Sequence, residues 1–196
     1  MGRKPKPTTD INRARILNVA ARLIKEKGIS RISLADIAAA VKISKGTLYY
    51  YYPSKSALVF DITEISMDHM TQKIFSWVEK SRQASSPEEI LKVVIDAILK
   101  ARSRGQIHLY LILEALGDEG LRKRFCDEYA KWLGMIKTGL DSILPEGRDT
   151  ALLAQLILAV IYGLLLSSLL GTPRPPLEDI SRFLFSASAL PNSSGK

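Results

Sequence analysis

The chain has one cysteine, Cys126, and only two histidines, His69 and His108, far apart in sequence. A single thiol cannot close an internal disulfide, which fits a reducing compartment. No Cys/His group has the spacing of a structural zinc site, so no metal is expected. Nucleophile motifs and Gly-rich phosphate loops are missing too. Acidic residues exist, but no pair is placed by a recognisable catalytic pattern. These absences argue against an enzyme, and no cofactor is expected. Runs that alternate as a strand would are nearly absent. The basic start, with Arg3, Lys4 and Lys6, is followed at residues 11–15 by INRAR. A secretory leader needs an apolar stretch there, so none is expected.

Charge is present but unevenly spread. The formal net charge is +8 over 196 residues. Residues 1–55 hold 12 Lys and Arg against 3 Asp and Glu, a net of +9. Residues 56–196 hold 16 against 17, a net of −1. Such asymmetry suggests a polyanion-binding head on a neutral body. A solvated basic surface without a partner fits the same numbers. The length allows one full-sized core, or a small domain beside a medium one.

The periodicity is helical. Pro5, Pro7 and the charges of residues 1–10 read as a flexible arm. Ile16, Val19, Ala20, Leu23 and Ile24 then mark one face of a helix, stopped by Gly28. Ser33 with Asp36 three residues on forms a capping box for a short second helix through Leu34, Ile37, Ala38 and Val41. Ser44 can cap a third helix, which Pro53 ends near Tyr51. Longer helices are expected at 55–80, 87–103, 106–117, 119–144, 149–170 and 176–189. Breaks fall at SSP (85–87), Gly105, Gly117, LPEG (144–147) and GTPRPP (171–176). Ser86, Pro87, Glu88 and Glu89 make a strong helix start. The fold class is all-α.

Helices two and three, joined by a tight turn, read as a helix-turn-helix whose second helix enters the major groove. An ordinary helical corner fits the pattern alone. Residues 33–58, SLADIAAAVKISKGTLYYYYPSKSAL, add detail. They resemble the DNA-binding segment of TetR-family (tetracycline-repressor-like) transcriptional regulators. Ile37, Ala38, Ser44, Gly46, Thr47, Leu48, Tyr49, Tyr51, Ser54, Lys55 and Leu58 occupy matching places. Residues 13–33 resemble the family's first helix. Two positions depart. Val41-Lys42 replaces the family's Ala-Gly, whose Gly supplies a left-handed conformation that Lys42 can adopt only at a cost of about 1 kcal/mol, so the turn is expected to survive slightly strained or reshaped. Lys42 also becomes a candidate phosphate contact. Tyr52 replaces a common Phe, and its hydroxyl is expected to reach the edge of the core or a partner.

Four tyrosines follow one another at 49–52. Consecutive helical residues point about 100° apart, so they face four ways. Tyr52 follows Leu48 by four and turns inward. Tyr49, Tyr50 and Tyr51 are expected outside the core, where rings and hydroxyls can meet sugars, thymine methyls and phosphates. An exposed aromatic patch that touches nothing is the alternative. The resemblance implies DNA-facing places for Lys45, Thr47, Tyr49 and Tyr51, and a phosphate contact for Lys55. Gly46 allows close approach of the backbone. Ser33 and Ser44, besides capping, join the candidate DNA-binding set. Ala35 lies where the family often has a base-reading side chain, and offers only a methyl. The arm RKPKP suits either a minor groove or a solubilising tail.

Residues 150–173, TALLAQLILAVIYGLLLSSLLGTP, carry no charge. Their length and apolarity would admit a membrane span. Ala151, Gln155, Ala159, Gly163, Ser167 and Gly171 recur every four residues, a stripe that admits a close helix neighbour. The soluble reading is preferred, and no membrane partner is expected. The resemblance implies a homodimer through the last two long helices, with Ala159, Gly163, Ser167 and Phe183 at or near the interface.

The central helices mix large apolar residues with isolated polar ones. His108, Tyr110, Ile112, Glu114, Trp132 and Met135 are candidates for lining a small-molecule pocket. A plain helical core has the same composition. The resemblance implies a small effector, here mostly hydrophobic. The expected organisation is a DNA-binding head with its basic arm over 1–54, a ligand-binding and dimerisation body over 55–190, and a flexible tail over 191–196. The whole reads as a cytoplasmic, homodimeric regulator. It would be a repressor that a small effector releases from a palindromic double-stranded DNA operator. A non-specific DNA-binding protein, or a helical small-molecule binder without induction, remains the alternative.

Overall fold

The computed structural model describes residues 7–100 and 102–187. Among the described residues there are helices and no strands. Helix α1 spans Pro7–Lys27, and a single 3-10 turn follows at Ile29–Arg31. Then come α2 (Leu34–Val41), α3 (Lys45–Tyr51), α4 (Lys55–Ser81) and α5 (Pro87–Leu99). The chain continues through α6 (Arg102–Gly117), α7 (Glu119–Ile143), α8 (Thr150–Leu170) and α9 (Leu177–Ala187). The expected capping residues take their places. Ser86 accepts from the Glu89 amide at 3.2 Å, and Glu89 accepts from the Ser86 amide at 3.0 Å. Gly28, at φ 83, ends α1 by a turn that a side chain would oppose.

Two expectations are corrected. Residues 7–10 belong to α1 rather than to an arm. Proline suits the first helical position, where its missing N–H costs nothing. The rest of the arm and the tail at 191–196 lie outside the described residues. Gly105 does not break a helix. It lies in the first turn of α6, and α5 already stops at Leu99. A Cβ on Gly105 would sit 2.5 Å from Leu165 Cδ1 and 3.3 Å from its Cγ. The glycine therefore serves close packing against α8 rather than chain reversal.

Packing divides the chain into two compact units. The first holds the described residues up to Asp68 together with Ile107–Leu121. In it α1 packs on α2, and α2 on α3. Its core includes Ile16 and Ala20 from α1, Ile37 and Val41 from α2, Leu48 from α3 and Leu58 from α4. Each such large apolar side chain contributes about 1.5–3 kcal/mol by leaving water. From the 107–121 segment, Leu111, Ala115 and Leu121 are also buried.

The second unit holds the described residues of 69–106 and those from Arg122 on. Here α5 packs on α8 and α9, and α8 packs on α9. Leu91, Ile95 and Leu99 of α5 join Ile157, Ile161 and Leu165 of α8 and Leu184 and Phe185 of α9 in one apolar cluster. Helix α8 is long and apolar enough to cross a membrane by length and composition. One of its faces is spent on this cluster. The other, with Leu152, Leu156, Leu166 and Leu170, is exposed.

Candidate nucleic-acid interface

Helix α2 starts on a closed capping box. Ser33 Oγ accepts from the Asp36 amide at 3.2 Å, and Asp36 Oδ2 accepts from the Ser33 amide at 2.8 Å. The Ser33 hydroxyl, then its amide, holds the Asp36 carboxyl below its ordinary range. The end of α2 explains the turn. Lys42 sits at φ 60, ψ 48, the left-handed region. Its amide donates to Ala39 O at 3.1 Å, and the Ile43 amide donates to Ala38 O at 3.0 Å. This pair of bonds is the helix-ending motif that glycine usually serves. Lysine fills it at the expected cost in strain, and among the described residues it is the one non-glycine with positive φ. The neighbouring carbonyl, Val41 O, accepts from Arg15 Nη2 at 2.8 Å.

Helix α3 starts on Ser44, whose Oγ accepts from the Thr47 amide at 3.0 Å. The two hydroxyls also meet at 2.8 Å. One face of α3 turns inward through Leu48, which is fully buried. Ser44, Lys45, Gly46, Thr47, Tyr49 and Tyr50 are exposed, as are Ser33 and Lys42. Tyr50 is the most open, at 82%. Tyr51 is half-buried, and its ring and that of Tyr50 form a T-shaped pair with centres 5.5 Å apart. Ala35 is half-buried. The candidate set from Ser33 to Tyr51 is thus gathered on two adjoining short helices and their turn.

Lys55 stands differently. It is half-buried, and its Nζ donates to Ile29 O at 3.1 Å and Ile32 O at 3.2 Å. The ammonium also lies 5.3 Å from the centre of the Tyr110 ring. Its donors tie the start of α4 to the 3-10 turn before α2, which leaves little for a phosphate.

Tyr52 is buried, and its hydroxyl has found two partners. It donates to Asp61 Oδ2 at 2.9 Å and accepts from Arg13 Nε at 3.1 Å. Arg13 Nη2 reaches the same Asp61 oxygen at 2.5 Å. Burial pushes the phenol up to about 12. The Asp61 bond, then the Tyr52 hydroxyl, pushes the Arg13 guanidinium up as well. Arg13, Arg15 and Asp61 were not singled out by sequence reasoning. A lone carboxylate inside the apolar run LVFDI (58–62) was the available signal.

Of the ligand candidates, His108, Tyr110, Ile112 and Glu114 fall in the first unit, and Trp132 and Met135 in the second. His108 is half-buried, and burial pushes its imidazole down to about 4. Burial, then the Glu114 charge and hydrogen bond, pushes Tyr110 up to about 12. Glu114 is exposed and Ile112 half-buried. Trp132 meets Phe125 edge-on at 6.1 Å, and Met135 is half-buried. The second unit also holds a stacked pair, Tyr129 and Tyr162, at 6.3 Å. Among the dimer candidates Ala159, Gly163 and Phe183 are exposed and Ser167 half-buried. A Cβ on Gly163 would meet nothing within 4 Å.

Two short helices about a tight turn, braced by a longer one, define a helix-turn-helix protein. Residues 16–62 match the model of bacterial regulatory proteins, tetR family, and residues 87–187 that of the BetI-type transcriptional repressor C-terminal region. The chain belongs to the TetR family. It is similar to the transcriptional regulator AcrR of Shigella flexneri, 32% identical over 99 residues, 50% of this chain and 44% of the relative. TtgR of Pseudomonas putida is 29% identical over 107 residues, 53% of this chain and 51% of the relative. The match thus spans about half the length of these curated relatives. Among solved structures, the TetR-family repressor FadR of Thermus thermophilus, in complex with lauroyl-CoA, superposes with a TM-score of 0.68 at 19% identity. That likeness covers 94% of this chain and 98% of the other, and shows the fold.

Proposed function

We propose that the protein is a sequence-specific, homodimeric DNA-binding transcriptional regulator of the cytoplasm, a repressor released from a palindromic operator by a small, mostly apolar effector. The observation that carries the reading is α3. Its one buried anchor, Leu48, leaves Lys45, Gly46, Thr47, Tyr49 and Tyr50 exposed, on the part of the chain with a net charge of +9. Basic and hydroxyl groups on a short helix after a tight turn are what a major groove accepts. Ser33, Lys42 and Ser44 flank it as phosphate contacts, and Ala35 offers a methyl. Tyr51 shares the work from a half-buried position.

Residues 1–54 form the DNA-binding head in this reading, and residues 55–190 serve ligand binding and dimerisation. Exposed Leu152, Leu156, Leu166, Leu170 and Phe183 supply an apolar surface of the kind that a second subunit covers. Ala159, Gly163 and Ser167 allow its helix to approach closely. The effector reading rests on the family and on the apolar central helices. FadR of Thermus thermophilus, a relative by fold, is seen with the acyl ligand lauroyl-CoA. An effector can switch the protein only by binding one of its conformations more tightly.

The test is selection of duplexes from a random pool by the purified protein at about physiological salt. The expected result is a two-fold symmetric site whose half-sites lie about one helical turn apart. Tight binding with no enriched sequence would replace this reading with non-specific DNA binding. Ligands that stabilise the protein without changing affinity for the selected site would remove induction.

A further inference from the structure

Tyr52 caps the end of α3, with its amide on Leu48 O at 2.9 Å. Its side chain is pinned at the far end as well. The hydroxyl closes a ring of three hydrogen bonds with Arg13 of α1 and Asp61 of α4. Each group in the ring is matched: the phenol both donates and accepts, and Asp61 Oδ2 accepts twice. The carboxylate is buried, with 6% of its side chain exposed, while Arg13 stays 57% exposed. A buried carboxylate is costly to separate from its donors, so the ring resists displacement. Hydrogen bonds are also directional, whereas an apolar contact can slide. The ring therefore fixes an angle as well as filling a volume. Three tyrosines of the exposed or half-buried face immediately precede Tyr52.

We propose that Tyr52 is a positioning residue for the recognition helix: through Asp61 and Arg13, its hydroxyl sets the orientation of α3 against α1 and α4 that the operator requires. This rests on the reading of α3 as the element that enters the DNA groove. The hydroxyl contributes orientation, since Leu48 and the ring of Tyr52 already supply the buried volume. Asp61 lies two turns into α4, so the hydroxyl ties the end of α3 to a point beyond the short covalent link between the two helices.

The experiment uses the full chain and the duplex that the wild-type protein selects. Tyr52→Phe keeps the ring and removes only the hydroxyl. It is expected to fold with unchanged helicity. Its affinity for the selected duplex should fall on the order of tenfold, because α3 is held less firmly at the angle that the duplex reads. Affinity for a random duplex of equal length should change less than about twofold, since phosphate attraction does not read the helix angle. Amide exchange over Leu48–Tyr52 should quicken in the free protein. Asp61→Asn should act in the same direction, and Tyr52→Phe should cost little more on top of it. If Asp61→Asn does not fold, Arg13→Lys, at the exposed corner, replaces it in the cycle. Equal losses on selected and random duplexes would overturn the proposal, as would a Tyr52→Phe protein that binds like wild type. A wild-type protein that selects no duplex would overturn the DNA-reading function and this inference together. Selection by wild type with an unaltered Tyr52→Phe variant would overturn this inference alone.

Discussion

Arg15 and Val41 are joined across 26 positions of sequence: the guanidinium donates at 2.8 Å to the last carbonyl of α2. The next residue, Lys42, is held left-handed. The turn between the two short helices is thus braced from α1 and strained at its own centre.

Lys42→Gly should relieve that strain and stabilise the protein by about 1 kcal/mol, raising Tm by roughly 2–4 °C for a chain of this size. If Lys42 touches a phosphate, the same variant should lower the slope of log K against log salt by about 0.9. Thermal melts and a salt titration of duplex binding check both. A stable variant with an unchanged slope would take Lys42 off the DNA.

Gly105 and Gly163 should respond oppositely to alanine. At Gly105 the new methyl meets Leu165, which is buried, so overpacking of about 1–3 kcal/mol should outweigh the helix-propensity gain of about 1 kcal/mol. At Gly163 nothing stands in the way within the subunit, so alanine should stabilise the isolated chain by up to about 1 kcal/mol. Weaker dimerisation of Gly163→Ala in sedimentation experiments would place a partner helix against it.

Lys55→Met should cost about 1–3 kcal/mol, because the carbonyls of Ile29 and Ile32 lose a half-buried charged donor. The salt dependence of duplex binding should be unchanged. Denaturant melts measure the first effect and a salt titration the second. A slope reduced by about 0.9 would instead assign Lys55 to a phosphate.

His108 makes stability fall in mild acid. Its folded imidazole titrates near about 4, below the ordinary 6.5. Between these values the unfolded chain takes up a proton that the folded chain refuses. Stability is therefore full above the ordinary value and is lost as pH falls toward the folded one. The loss approaches about 1.4 kcal/mol per pH unit in the steepest part. Denaturant melts at descending pH should show this slope, and His108→Gln should flatten it.

The elements themselves were legible because their signals are local. Ser33 with Asp36, Ser44 before α3 and Ser86 with Glu89 each mark a helix start within three residues. Gly105 misled because glycine has two uses, and only the position of Leu165 on another helix says which applies. Residues 7–10 misled because charge and proline suit an arm and a helix's first turn alike. The exposed half of the candidate interface followed from helical spacing: Leu48 points in, so Tyr49 and Tyr50 cannot. Its supports did not follow. Arg13 and Asp61 are 48 positions apart, and neither residue alone announces the other.

The compact unit that carries the helix-turn-helix is discontinuous in sequence: Ile107–Leu121 belongs to it together with the described residues before His69. During synthesis the first half of this unit waits for the second. At about 5–20 residues per second, the gap between Asp68 and Leu121 is a few seconds of translation. Through that interval Lys55 has no Tyr110 ring beneath it. The faces that will bury Leu111 and Ala115 stand open to chaperones, proteases and other nascent chains. A fragment cut after Asp68 would lack Leu111, Ala115 and Leu121, which are buried residues of that unit.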